Sequence, residues 1–173
     1  MNKDFFQTNF FQRWAFFAPP PTYNQRVYIV FKNKTTNYKN IFEIVAPLVK
    51  AKHDKAPFNA NYQLYDYIIA SSLIKIDDNL KLLQDVFNYE NLKAKNKIGD
   101  SARVEKLVHD IENTSDFRTL ASYSKKIALE NGININDVYY QIQISKINIP
   151  QFADRKTNNA KEEIVFSSHS LNF

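Results

Sequence analysis

The chain contains no cysteine. That excludes a disulfide framework, a thiolate metal site and a cysteine nucleophile, and it leaves no mark of a redox compartment. Glycine occurs only twice, at Gly99 and Gly132, too sparsely for the phosphate-cradling loops of the Walker or dinucleotide-binding type. Uninterrupted apolar runs are a few residues long, as from Ala15 to Ala18, so no stretch is suited to spanning a bilayer, and no signal-peptide pattern is visible.

What is present is aromatic and basic. The 173 residues are 44% hydrophobic and 14% aromatic, enough to bury the core of one domain. The net charge of +5 comes from the first sixty residues, where nine Lys or Arg face three Asp or Glu. Such a third would suit an anionic lipid surface or nucleic acid. Its lysines are scattered, however (Lys32, Lys34, Lys39, Lys50, Lys52, Lys55), and this reads as a solvated face.

Near the N-terminus Phe6, Phe10, Trp14 and Phe17 recur at spacings of four, four and three, the pattern of one side of a helix, and Pro19 to Pro21 stop it. Residues 1–21 therefore form an aromatic segment, with a single domain over 22–173. A helix so rich in Trp and Phe suits a membrane interface or packing onto the domain that follows.

Arg26 to Lys32 is rich in β-branched and aromatic residues and leads through a polar stretch into Ile41 to Ala46, closed by Pro47. The two runs predict a β-hairpin. After the polar stretch Lys52 to Asn61, the residues Tyr62, Tyr65, Ile69, Leu73, Ile76, Leu80, Leu83 and Phe87 mark a long amphipathic helix. A second helical region starts near Asp100, carries Val104, Leu107, Val108 and Ile111, breaks at Asn113-Thr114-Ser115, resumes with Phe117 and Leu120, and ends at Asn131-Gly132. Val138 to Ile147 alternates as a half-buried strand, and Val165-Phe166 sits in a weaker one. The expectation is an α+β fold, a small antiparallel sheet of about four strands against a long helical hairpin, with the aromatic N-terminal helix attached.

Two segments carry a resemblance. Phe10, Gln12, Trp14, Phe17, Ala18, Pro19 and Pro21 fit the pattern F-x-Q-x-W-x-x-F-A-P-x-P, and Pro150, Phe152 and Arg155 fit P-x-F-x-x-R after a strand. Together they resemble the bacterial family described as domain of unknown function 5819, over nearly the whole chain. The resemblance implies one membrane helix directly before the aromatic motif and a soluble domain outside the cytoplasm, on the periplasmic side. It implies no reaction and no catalytic residue. The sequence carries no such helix, so the expectation is an anchored protein of which Met1 is not the native start.

Within the motifs, Trp14 is the natural anchor, its ring filling a groove or clasping the segment to the core while the prolines hold the chain extended. Phe152 reads as buried, and Arg155 as paired with a carboxylate or the backbone. An enzyme reading rests on His53, His109 and His169, two of them followed by Asp54 and Asp110. His53, His109-Asp110 and Asp137 echo the order of the HD metal-dependent phosphohydrolases. Those enzymes are all-helical, whereas Asp137 precedes a strand. Ser71-Ser72 and Ser167-Ser168 lack a nucleophile elbow. A nucleic-acid reading rests on Tyr interleaved with Lys around Tyr28 to Tyr38, a pattern that a half-buried strand also produces. The sequence thus leads to a noncatalytic interaction or accessory module of a membrane-anchored envelope protein, with another membrane or envelope protein as partner, no nucleic acid, no cofactor and no metal. Its alternatives are a metal-dependent hydrolase using His53, His109 and Asp110, and a nucleic-acid-binding domain.

Overall fold

In the computed structural model, which describes residues 23–36, 38–93, 100–149 and 161–173, the β-branched run around Val27 to Phe31 forms the central strand β1 (Tyr23–Asn33). It turns into β2 (Lys39–Glu43), four helices follow as α1 (Val45–Asp54), α2 (Ala60–Lys93), α3 (Asp100–Glu112) and α4 (Ser115–Glu130), and the chain returns through β3 (Val138–Asn148) and β4 (Glu162–Ser167). The sheet is antiparallel throughout, in the order β2-β1-β3-β4. The fold is α+β, a four-stranded sheet with four helices and the long α2 packed along α4.

The register of β1 on β3 sets Val27 opposite Ile144, Ile29 opposite Ile142 and Phe31 opposite Tyr140. With period-two alternation these residues share one face, and they join Val138 and Phe166 in the core. The helices supply the other half. Ile69, Leu73, Ile76 and Leu80 of α2 are buried, as their spacing predicts, against Ile111 of α3 and Phe117, Leu120 and Ala128 of α4. Burying each large aliphatic side chain contributes about 1.5–3 kcal/mol, so these four residues alone match the net stability of a typical domain, about 5–15 kcal/mol. An edge-to-face contact of Phe117 with Phe166, ring centroids 6.2 Å apart, ties α4 to β4.

Both expected boundaries of α4 are present. Thr114 accepts the Phe117 N–H at 3.2 Å as N-cap. Gly132 takes φ +67° just past the other end, where Ile133 N–H reaches the Ala128 carbonyl at 2.8 Å.

One stretch departs from the sequence reading. Ile44 to Ala46 do not extend β2; the chain leaves the sheet at Glu43, and α1 begins at Val45. The Glu43 carboxylate accepts the N–H groups of Val45 at 3.0 Å and Ala46 at 3.1 Å. Pro47 then falls in the first helical turn, where its missing N–H costs nothing. The helix also runs through Lys52 and His53, within the stretch read as a polar connection. Among the described residues no helix is long and apolar enough to cross a membrane.

Candidate functional site

Alternation gives the sheet a second face, away from the helices. β1 contributes Arg26, Tyr28, Val30 and Lys32, which pair with Ser145, Gln143, Gln141 and Tyr139 of β3. Ile41 and Lys39 of β2 lie opposite Val30 and Lys32, and β4 adds Glu162 and Ile164. A bulge between Ile144 and Ser145 in the β3–β4 pairing lets Ile164 face this side and Phe166 the core. Val30 and Ser145 are fully buried here, although Val30 stands outside the core cluster.

At one end of the face four polar side chains converge. Tyr28 donates its hydroxyl proton to Glu162 Oε1 at 2.7 Å, and Ser145 donates to the same oxygen at 2.5 Å. Arg26 sits 3.7 Å from Glu162 Oε2 and donates to the Tyr28 oxygen at 3.5 Å. The Ser145 and Tyr28 hydrogen bonds hold the Glu162 carboxyl below the usual glutamate range, with Arg26 adding attraction. Partial burial pushes the Tyr28 phenol up; the Arg26 hydrogen bond opposes it and Glu162 reinforces it. At the other end, Lys34 lies 5.1 Å above the Tyr139 ring while donating to the Asn136 carbonyl at 2.8 Å. Lys32 donates to the Ser170 hydroxyl at 3.2 Å. Tyr38, Ile41 and Ile164 are exposed. The face offers hydrogen-bonding, cationic and apolar groups side by side, a composition for contact with another surface.

The motif residues Gln12, Trp14, Phe17, Pro19, Pro21, Pro150, Phe152 and Arg155, with the aromatic N-terminal helix, lie outside the described residues. The candidate hydrolase residues are described. His53 is exposed at the end of α1, on a cleft of about 480 Å³ that Lys52, Asn59, Gln63, Asp66 and Tyr67 also line. Lys52 and Asp66 pair across it at 2.5 Å. His109 is exposed on α3, 3.2 Å from the Asn113 amide, with Asp110 beside it. Among the described residues no three His, Asp or Glu gather to hold a metal ion, so His53, His109 and Asp110 do not form the ligand group that the hydrolase alternative needs.

His169 meets α3 by a different route. Its backbone N–H donates to Glu112 Oε1 at 2.6 Å, and its Nδ1 lies 3.0 Å from Oε2. Sequence reasoning named neither Glu112 nor the Glu162 cluster. The strand alternation could have placed Tyr139, Gln141, Gln143 and Ser145 on one polar face, but no local pattern marks Glu162 as their partner.

No protein-family model matches the chain, and neither a curated protein nor a solved structure matches it at a significant level.

Proposed function

We propose that this domain is a noncatalytic interaction or accessory module of a membrane-anchored envelope protein, held on the periplasmic side and contacting another membrane or envelope protein. The observation that carries the reading is the two-sided sheet. Its helix-facing side holds the core, while the opposite side gathers Lys32, Lys39, Ile41 and Tyr139 toward one end and carries Ile164 toward the other. Exposed apolar and aromatic groups among cations suit a protein surface better than a reaction centre. The likeness of the Gln12 to Pro21 and Pro150 to Arg155 motifs to those of the domain of unknown function 5819 family supports the location. Trp14 is the second proposed contact.

The test is cross-linking capture from native membranes, with the protein beside folded Trp14→Ala and Ile41→Glu versions. The reading expects a membrane or envelope protein recovered with the parent and lost with at least one variant. Fractionation entirely to the cytosol, or the same recovered proteins from all three, defeats it.

A further inference from the structure

The long helix α2 has a second apolar stripe, on the side away from the core. Leu64, Tyr67, Ile74, Leu82 and Val86 are between 43% and 73% exposed, and Ser71 and Asp78 continue the spacing of three and four between them. Isolated exposed apolar side chains are normal on any protein, but five in one row along a single helix, interrupted by Ser71 and Asp78, form a strip. From Leu64 to Val86 the strip is about 33 Å long at 1.5 Å per residue.

The charges beside the strip discriminate between occupants. Lys75 and Asp78 are both exposed, and among the described residues Lys75 pairs with Asp116 at 3.4 Å and Asp78 with Lys81 at 3.8 Å, both long for an ion pair. Two copies of α2 laid parallel would set Lys75 against Lys75 and Asp78 against Asp78. Laid antiparallel about a two-fold axis between Ile76 and Asp77, they set Lys75 of one copy opposite Asp78 of the other, twice. The same register sets Tyr67 opposite Val86, also twice, while Leu82 lies opposite Ser71 and Ile74 opposite Asn79. The Lys75–Asp78 and Tyr67–Val86 pairs are therefore complementary to themselves in one orientation, as an isologous contact requires.

We propose that two copies of this chain associate through α2, antiparallel, along the Leu64 to Val86 strip. This reading is independent of the membrane assignment. Its strength is bounded by its size. One helix face of this length buries a few hundred Å² per copy, well short of the roughly 800 Å² of a standard stable interface. The dimer is weak, with a dissociation constant on the order of 100 μM.

Sedimentation equilibrium of the purified chain, from about 10 μM to about 1 mM so as to bracket that constant, tests it. The mass rises with concentration toward twice the monomer for the parent, and Ile74→Lys or Tyr67→Lys holds it at the monomer. These positions are exposed, so far-UV circular dichroism stays unchanged. Lys75→Asp and Asp78→Lys each weaken association about ten-fold through two like-charge contacts, and the two together restore it. A parent chain that is monomeric throughout overturns the proposal, whether or not it floats with lipid vesicles. So does an Ile74→Lys chain that associates like the parent, or a double charge exchange that fails to recover.

Discussion

Lys146, on the helix-facing side of β3, sets its ammonium 2.5 Å from Asp77 Oδ1 in the middle of α2, and Lys81 meets Oδ2 of the same carboxylate at 2.8 Å. Asp77 is buried and Lys146 partly so. The pair ties the middle of the longest helix to the sheet beside the buried stripe of Ile69, Leu73, Ile76 and Leu80.

Asp77→Ala removes this carboxylate from Lys146 and lowers stability by about 2 kcal/mol, between the values of exposed and fully buried pairs. Urea unfolding then shows a lower midpoint with an unchanged slope. Asp77→Leu combined with Lys146→Met recovers at least half of the loss, because it removes both charges from the interface. An Asp77→Ala midpoint equal to that of the parent contradicts the assigned role.

The contrast between what was legible and what was not follows from range. The stripe Ile69, Leu73, Ile76 and Leu80, the alternation from Val138 to Ile144 and the stop at Gly132 are local patterns, and each is realised. Pro47 misled because it occurs both after strands and in first helical turns. The deciding contact, Glu43 capping Val45 and Ala46, shows as no standard capping box. The pairs Lys146–Asp77 and His169–Glu112 span 69 and 57 residues, so no periodicity connects them. The same holds for Glu162, which meets Ser145 only because β4 returns beside β3 with a bulge.

The two ends of α4 test local chemistry free of packing. A Cβ added at Gly132 meets nothing within 4 Å, so Gly132→Ala costs only the left-handed backbone penalty, about 1 kcal/mol, and Gly132→Asn costs less. Thr114→Ala loses the hydrogen bond to Phe117 N–H at the other end and also costs about 1 kcal/mol. The sites share no partner, so the double variant shows the sum in denaturant unfolding, to within about 0.5 kcal/mol. A Gly132→Ala loss much above its expected value would mean that backbone strain is not the only cost there.

Glu162 gives a pH dependence whose sign can be derived. Its carboxyl lies below the ordinary value of 4.5, first through the Ser145 hydrogen bond and then through that of Tyr28, against desolvation by burial, with the Arg26 charge a lesser help. A depressed folded value means that the unfolded chain binds this proton more tightly. The contribution to stability is complete above the unfolded value and is lost as pH falls through the folded one. Ser145→Ala removes the largest cause, so the Glu162 carboxyl resonance, followed by carbon-detected NMR titration, moves back up toward the ordinary value. The acid-side loss of stability becomes correspondingly shallower. Tyr28→Phe moves the midpoint in the same direction by less. If Ser145→Ala leaves the midpoint in place, or Tyr28→Phe shifts it further than Ser145→Ala does, the buried serine is not the group that holds this carboxylate in its charged form.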